Sequence, residues 1–299
     1  MNAVGDRATA TLGEVVARCA RLLGSATEAR WLVEHVTGLH GAALAARLDR
    51  APPEGLDAAL DPLLARRRAG EPLQYVLGVW PFRTIELAVD ERVLIPRPET
   101  EVVAGIALDL LRASGVGGPR RAADLGTGSG AIALALVAEG PVGLQVWATD
   151  RSADALAVAR ANGARLAARD PSTAGRVHFV QGAWFSALPA ALAGSLSLVV
   201  SNPPYVAEAE WAGLDAAVRD HEPRAALVAG PSGLESIDAV VAGAGRWLAP
   251  GGHLVVEIAP HQAGEVAHRA SSAGYTGVRV ARDLAGRPRA LVARQPPTR

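Results

Sequence analysis

Residues 122–131 have the sequence AADLGTGSGA, and the apolar, alanine-rich stretch 132–138 follows them directly. Three glycines at alternate positions, Gly126, Gly128 and Gly130, separate a short apolar approach from this helix-prone stretch. Glycine permits sharp turns and lets the backbone come close to a bound molecule, because it has no side chain. The stretch therefore predicts a β-strand, a tight turn and a helix N-terminus that approaches a ligand.

An acidic residue ends the next predicted strand. Asp150 follows the apolar segment 144–149 and stands 20 residues after Gly130. A carboxylate at that strand tip can accept hydrogen bonds from both hydroxyls of a ribose, so an adenosine-containing cofactor is predicted. The glycine spacing alone fits a nicotinamide dinucleotide and S-adenosylmethionine almost equally well. Asp124 favours S-adenosylmethionine, because a carboxylate beside the turn can hold the polar groups of a methionine moiety but repels a pyrophosphate.

A second motif, SNPPY at residues 201–205, directly follows a short apolar run rich in β-branched residues. The run predicts a strand, and two prolines cannot continue its hydrogen-bond ladder. Asn202 is therefore expected at the carboxyl edge of the sheet, where open α/β sheets bind ligands. Its amide and the carbonyls of Pro203 and Pro204 form a predicted clamp for a planar NH2 group. Tyr205 adds an aromatic face for a planar amide, a base or a sulfonium cation.

Hydride transfer needs no clamp of this kind, so the SNPPY motif also favours S-adenosylmethionine over a nicotinamide cofactor. The structural alternative is a Pro-Pro turn that only closes a buried strand.

The chain divides into three regions with different patterns. In residues 1–71, apolar residues recur at helical spacing, which predicts a small N-terminal helical bundle. Residues 72–98 predict a β-hairpin linker. In residues 99–299, helical and strand-like segments alternate, which predicts an α/β fold with a doubly wound, largely parallel, Rossmann-like sheet. Seven strands are predicted, near residues 121–125, 144–149, 177–180, 196–201, 253–258, 278–281 and 289–293.

Composition limits the possible functions. The 299 residues have a formal net charge of zero and include no lysine. Proteins that grip long nucleic acids are usually strongly basic, so no stable nucleic-acid binding is expected. The single cysteine, Cys19, excludes an intrachain disulfide, and its helical neighbours predict a core position. The seven histidines show no metal-ligand spacing, so no metal is expected.

No membrane segment is expected either. The longest stretch without Asp, Glu, Lys or Arg, 177–207, is interrupted by prolines and glycines, which favours strand, loop and strand over a membrane span. Asp6 and Arg7 stand early in the chain without a long apolar core, so no signal peptide is predicted. These features and the single cysteine predict a cytoplasmic protein.

The glycine-rich turn, the acidic residue one strand later and the NPPY motif resemble class I S-adenosylmethionine-dependent methyltransferases that act on exocyclic or amide NH2 groups. Two further segments, EPLQYVLG at 71–78 and VLIPRPETE at 93–101, resemble the linker of the protein-(glutamine-N5) methyltransferases that modify peptide chain release factors. Residues 248–254 and 283–289 resemble the later strand and the terminus of that family. The resemblance covers about residues 70–292.

The resemblance implies that a methyl group passes from S-adenosylmethionine to the side-chain amide nitrogen, N5, of the glutamine in the Gly-Gly-Gln motif of release factors. Release factors are then the partner, the N-terminal bundle holds this protein substrate, and the chain acts as a monomer. Asn202, Pro203 and Tyr205 are the expected catalytic residues, and Pro204 joins them in binding the substrate. The residues expected to bind the cofactor are Asp124, Gly126, Thr127, Gly128, Ser129, Gly130, Asp150, Trp184 and Asn202. Trp184 stands where the family contacts the adenine end of the cofactor.

Three alternatives remain open at this point. The same chemistry fits a ribosomal-protein glutamine, and it also fits the N6 amino group of adenine in nucleic acid. The neutral charge and the PRPETE segment weigh against nucleic acid. A cofactor-binding assembly factor without catalysis is the third alternative, and the intact Asn202 and Tyr205 argue against it. Arg97, Glu99 and Glu257 fit either substrate-facing or structural roles.

Overall fold

A computed structural model describes residues 10–113 and 120–297. Asp6 and Arg7, on which the prediction about a signal peptide rests, lie outside the described residues. None of the described helices is long and apolar enough to cross a membrane.

The chain forms two compact units, Met1–Gly78 and Val79–Arg299. The segment predicted as a β-hairpin linker, 72–98, is divided between them. Its first residues, 73–77, are helical and belong to the first unit, whereas its hairpin begins at Val79 in the second.

The first unit is helical among its described residues, as the apolar spacing predicts. Its helices are α1 (Leu12–Leu23), α2 (Ala26–Thr37), α3 (Ala42–Ala45), α4 (Leu56–Arg68) and α5 (Leu73–Leu77). Thr11 begins α1 with a capping box, in which its side chain accepts from the Glu14 N–H and the Glu14 carboxylate accepts from the Thr11 N–H. Gly24, with a φ of 69°, ends the helix. Cys19 is completely buried in the core, as predicted.

The second unit contains the predicted seven-stranded sheet and two separate strand pairs. Its strands are β1 (Val79–Phe82), β2 (Ile85–Ala88), β3 (Arg121–Leu125), β4 (Gln145–Asp150), β5 (Val177–Gln181), β6 (Leu196–Ser201), β7 (Val206–Ala207), β8 (Val228–Gly230), β9 (Leu248–Glu257), β10 (Thr276–Arg282) and β11 (Pro288–Arg294). The main sheet has the order β10-β11-β9-β6-β3-β4-β5, and β1 with β2 forms an antiparallel hairpin. In the main sheet the strands from β9 to β5 pair in parallel, and β11 pairs antiparallel with β9 and β10.

Helices cover both faces of this sheet. The described α-helices of the second unit are α6 (Pro98–Ala113), α7 (Ala131–Glu139), α8 (Ala153–Arg169), α9 (Ala216–Arg219), α10 (Arg224–Leu227), α11 (Glu235–Trp247) and α12 (Ala263–Ser272). Strand β9 shows the two layers, because Val255 packs in the core formed with α6 and α7, whereas Leu254 and Val256 pack in the core formed with α11 and α12. The doubly wound α/β fold predicted from the alternating pattern is confirmed.

The position of the site follows from this strand order. The chain runs outward from β3 to β4 and β5 and then returns to place β6 on the other side of β3. Ligands bind at such a switch point, outside the carboxyl ends of the strands. Because Leu125 is in register with both Thr149 and Ser201, and Ser201 with Val256, the residues that follow these strands lie side by side.

Candidate active site

A cavity of about 250 Å³ opens at the carboxyl edge of the sheet, at the switch point. It brings together residues at the carboxyl ends of four strands, β3, β4, β5 and β6. Those among the predicted site residues are Gly126, Thr127, Gly128, Ser129, Asp150, Trp184, Asn202 and Pro204. Four other predicted residues, Asp124, Gly130, Pro203 and Tyr205, are not among the residues that line it.

The glycine-rich turn connects β3 to α7. Gly126 and Gly128 have φ values of 72° and 55°, a backbone conformation that glycine adopts without the steric cost other residues meet. The Gly126 and Thr127 N–H groups both donate to the Thr149 carbonyl of the neighbouring strand, at 2.8 and 2.9 Å. These bonds fix the turn against the end of β4.

Asp150 holds the turn from the other side. Its Oδ2 accepts a hydrogen bond from the Gly128 N–H and its Oδ1 accepts one from the Ser152 N–H, both at 2.9 Å. A carboxylate offers about four acceptor positions, so Asp150 keeps capacity toward the cavity that it lines.

Asp124 lies beneath the turn, with only 1% of its surface exposed. Its Oδ2 accepts from the Thr127 hydroxyl at 2.6 Å and from the Ala133 N–H at 3.0 Å, which also satisfies a donor in the first turn of α7. Its Oδ1 is buried without a hydrogen-bond partner among the described residues. Burial raises the pKa of Asp124 to about 7, and the charge of Asp150 acts in the same direction.

Trp184 follows β5 and adopts a φ of 50°, which is unusual for a residue with a side chain. Its carbonyl accepts from the Thr149 hydroxyl at 3.3 Å. A Cβ added to Gly126 would lie 3.4 Å from Cζ3 of Trp184, so the indole ring lies against the turn. The ring therefore forms one wall of the cavity.

The NPPY motif follows the end of β6. Some of its residues line the cavity, and others lie in the protein interior. Asn202 and Pro204 line the cavity, whereas Pro203 is buried. The Asn202 Nδ2 donates to the Thr100 hydroxyl at 3.2 Å. Tyr205 packs against the core beside α11 and α12, and its carbonyl accepts from the Gln262 side chain at 3.0 Å. Burial raises the pKa of the Tyr205 phenol to about 12, and the charge of Glu257 adds to this shift.

The ion pairs of the PRPETE segment answer one question that the sequence left open. The Arg97 guanidinium pairs with the buried Glu222 carboxylate, which also accepts from the Ile95 N–H at 3.1 Å. Glu99 pairs with Arg287 at 2.9 Å. Both side chains thus form ion pairs of the kind that the structural alternative expects.

Three features of the site were not predicted from the sequence. Thr100 and Glu257 form a buried pair beside Asn202, and residues 223–229 close one side of the cavity. Glu222 was also not predicted, since 125 residues separate it from Arg97. The sequence left the role of Glu257 open and did not single out Thr100 or Glu222, because their partners are distant in the chain. Within residues 10–113 and 120–297, no group of His, Cys, Asp or Glu side chains could hold a metal ion.

Comparisons with known proteins identify relatives of both units. A family model described as "PrmC N-terminal domain" matches residues 14–78, and one described as "Methyltransferase small domain" matches residues 107–218. The release factor glutamine methyltransferase of Gloeobacter violaceus is 42% identical over 272 residues, which cover 89% of this chain and 90% of that protein. The protein of the same name from Nitratidesulfovibrio vulgaris is 45% identical, over 78% of this chain and 76% of its own length.

A solved structure with the same fold is the hMettl16 catalytic domain in complex with a 3′UTR hairpin. It is 16% identical in sequence, has a TM-score of 0.54, and is matched over 79% of this chain and 82% of that chain. At this identity the similarity shows the fold alone.

Proposed function

Because this chain belongs to the release factor glutamine methyltransferase family, we propose that it methylates the N5 amide nitrogen of the glutamine in the Gly-Gly-Gln motif of a peptide chain release factor. The observation that carries the proposal is the 42% identity to the Gloeobacter violaceus protein across 90% of its length. The chain is a methyltransferase, and S-adenosylmethionine is its methyl donor.

The cavity suits this donor in three respects. Asp150 has acceptor capacity left for the ribose hydroxyls, and the Trp184 ring forms a flat apolar wall for the adenine. The Asp124 carboxylate beneath the turn has one oxygen without a hydrogen-bond partner among the described residues, and its negative charge favours a cationic group on the cavity side of the turn. We therefore assign these three residues and the turn 126–130 to cofactor binding.

When bound, the cofactor supplies a methyl group on a sulfonium, which is open to attack by a nucleophile. A primary amide nitrogen is a poor nucleophile, because its lone pair is delocalised into the carbonyl. In our proposal Asn202 Oδ1 and the Pro203 carbonyl each accept one N–H of the substrate amide, which favours localisation of that lone pair on nitrogen. Such bonds raise the rate only to the extent that they strengthen in the transition state.

The same proposal assigns Pro204, which lines the cavity, to the wall of the substrate site and assigns protein-substrate recognition to the N-terminal unit. It describes a monomer that acts in the cytoplasm, the compartment of translation termination, without stable binding to nucleic acid. The zero net charge supports that last point. The RNA bound to the hMettl16 domain is not evidence for an RNA substrate of this chain, because a shared fold alone does not determine function.

Methyl transfer from labelled S-adenosylmethionine tests the proposal. Purified release factor should acquire one methyl group on the Gly-Gly-Gln glutamine, and a release factor with this glutamine replaced by alanine should acquire none. Ribosomal proteins and nucleic acid are offered in separate reactions. Label in either of these, with none in release factor, would instead support glutamine methylation of a ribosomal protein or adenine methylation.

A further inference from the structure

Two buried polar side chains, of which Thr100 also lines the cavity, form a chain of hydrogen bonds with Asn202. Thr100, in the first turn of α6, is 4% exposed, and Glu257, at the end of β9, is 1% exposed. The Thr100 hydroxyl donates to Glu257 Oε2 at 2.8 Å. The Asn202 side chain contacts the same hydroxyl oxygen at 3.2 Å. The three groups connect the PRPETE segment to the NPPY motif.

The direction of these hydrogen bonds follows from the number of protons. A hydroxyl has one proton, and a carboxylate only accepts. While Glu257 is ionised, the Thr100 hydroxyl donates its only proton to the Glu257 carboxylate. The Thr100 oxygen can then only accept a hydrogen bond from Asn202. The amide nitrogen of Asn202 must then face Thr100, and its Oδ1 must face away from Thr100. Asn202 lines the cavity, so this orientation makes Oδ1 available to a donor there.

We propose that Thr100 and Glu257 are positioning residues, which hold the Asn202 amide in the one orientation that offers Oδ1 to an N–H of the substrate. This inference rests on the proposed function, because an amide NH2 is a substrate group that needs an acceptor at that point. In the opposite orientation Asn202 would present its own NH2 to the substrate NH2, and two donors cannot form a hydrogen bond.

The surroundings of Glu257 make this arrangement sensitive to pH. Charged and titratable groups reach it from three elements: Arg289 on β11, Glu99 on α6 and Tyr205 after β6. Burial raises the pKa of Glu257 to about 7, although the Thr100 hydroxyl and Arg289 act in the opposite direction. Its Oε1 meets no donor at hydrogen-bond geometry among the described residues, and the nearby Tyr205 hydroxyl lowers the pKa less than the Thr100 hydroxyl and Arg289 do.

A protonated Glu257 can donate to the Thr100 oxygen, which frees the hydroxyl proton to bond to Asn202. Asn202 then turns its Oδ1 toward Thr100 to accept this hydrogen bond. Oδ1 no longer faces the substrate amide as the proposed function requires. The kcat should therefore fall as the pH is lowered through about 7, the pKa of Glu257.

Substitutions of Thr100 test the positioning role. Thr100→Val keeps the shape but removes the hydroxyl, and should lower kcat about 10-fold to 100-fold while the KM for S-adenosylmethionine changes less than about threefold. Thr100→Ser keeps the hydroxyl and should retain more than about a third of the kcat. Thr173→Val is the matched control, because Thr173 is 5% exposed and donates to a backbone carbonyl outside the cavity. A Thr100→Val enzyme within twofold of the wild type, or a Thr100→Ser enzyme as slow as Thr100→Val, overturns the proposal.

The pH profile of kcat tests Glu257. The wild type should show an inflection near pH 7, and Glu257→Gln should reduce its amplitude and stay below the upper plateau of the wild type. Asp124, whose pKa is also about 7, accounts for an inflection of smaller amplitude that remains. An unchanged inflection in Glu257→Gln means that another group titrates and that the role assigned to Glu257 is wrong.

Nuclear magnetic resonance of the full-length protein without substrate separates this inference from the proposed function. The side-chain NH2 signals of Asn202 should shift in Thr100→Val and remain near their wild-type positions in Thr100→Ser. Unshifted signals in Thr100→Val contradict the hydrogen bond whatever the substrate is. If the wild type fails to methylate release factor while these signals behave as expected, the proposed function fails and the positioning of Asn202 stands.

Discussion

At the scale of single residues, two buried carboxyl groups distinguish the edge of the sheet. Asp124 and Glu257 each have one oxygen without a hydrogen-bond partner among the described residues, and burial raises the pKa of each to about 7. A raised pKa means that the folded protein holds the proton more tightly than the unfolded chain does. Each group therefore reduces stability as the pH rises from its unfolded pKa to about 7, and the reduction is constant above that. Retaining such groups is understandable where their negative charge serves the site.

The first prediction concerns Glu257→Gln and stability. The pKa of Glu257 is 4.5 in the unfolded chain and about 7 in the folded protein, a difference that corresponds to about 3 kcal/mol. This amount lowers the free energy of unfolding of the wild type above pH 7 but not below pH 4.5. The free energy of unfolding of the variant, relative to the wild type, should therefore increase between pH 5 and pH 8 in urea denaturation. Glu54→Gln, at an exposed position, is the control for the substitution itself. A difference that is the same at both pH values would contradict the raised pKa.

The second prediction is that Asn202→Ala leaves S-adenosylmethionine binding largely intact but lowers kcat by about 10² or more. This is the order of effect when one preorganised polar partner of a transition state is removed. Calorimetry measures the binding, and transfer of labelled methyl measures the rate. Near-wild-type turnover would remove Asn202 from its proposed role.

The third prediction is that Asp150→Ala weakens S-adenosylmethionine and S-adenosylhomocysteine equally, by about 1.5 to 3 kcal/mol, the range for hydrogen bonds to a charged group. Both ligands contain the ribose, so unchanged affinity for both of them would place the ribose elsewhere. Asp154→Ala removes the same charge from an exposed position in the first turn of α8 and should leave both affinities unchanged.

At the scale of secondary-structure elements, the site is made by strand ends and the turns that follow them. The turn after β3 is held by β4 through the Thr149 carbonyl and the Asp150 carboxylate. The start of α6 is held against the segment before α10 by the Arg97 and Glu222 pair. The cavity thus lies between rigid elements, which is the arrangement that preorganises a binding site.

The fourth prediction compares two glycine turns. Gly128 and Gly143 have φ values of 55° and 79°, and a Cβ added at either meets no atom of the described residues within 4 Å. Gly128→Ala and Gly143→Ala should each lower the free energy of unfolding by about 1 to 2 kcal/mol, the cost of a left-handed conformation. Only Gly128 lines the cavity, so only Gly128→Ala should also weaken S-adenosylmethionine binding, by about tenfold or more. Equal cofactor affinity in the two variants would show that the turn does not approach the cofactor.

At the scale of the whole molecule, each of the two units contains a hydrophobic core of its own. The core of the first unit is formed by residues between Leu12 and Leu77, and all of the cavity-lining residues belong to the second. Binding of the cofactor and recognition of a protein substrate can therefore reside in different units.

The fifth prediction is that removal of residues 1–78 leaves a folded domain that binds S-adenosylmethionine but methylates intact release factor about 10² times more slowly or worse. The reason is that orientation of the substrate by contacts far from the reacting atoms is lost. Circular dichroism establishes folding and titration establishes cofactor binding. A folded, cofactor-binding domain that modifies intact release factor as fast as the full chain would show that the first unit does not recognise the substrate. Loss of folding would show instead that the first unit is needed for stability.

Local patterns in the sequence were sufficient to predict the fold and the elements that carry the site. All seven strands of the main sheet lie where the apolar segments predict them, and β9 only starts earlier than expected, at Leu248. The glycine turn, Asp150 and the NPPY motif could be placed at one edge because turns and strand ends depend on residues close together in the chain, and because parallel strands bring their carboxyl ends together.

Only the tertiary structure decided which side chains meet behind the motifs. Asn202 and Thr100 are 102 residues apart in the chain, and Thr100 and Glu257 are 157 residues apart. The tertiary structure also shows that Tyr205 and Asp124, both expected at the site, are not among the residues that line the cavity. Contacts between distant residues depend on the packing of whole elements, and the burial that raises the pKa of Glu257 exists only once α6, β9 and β11 have come together.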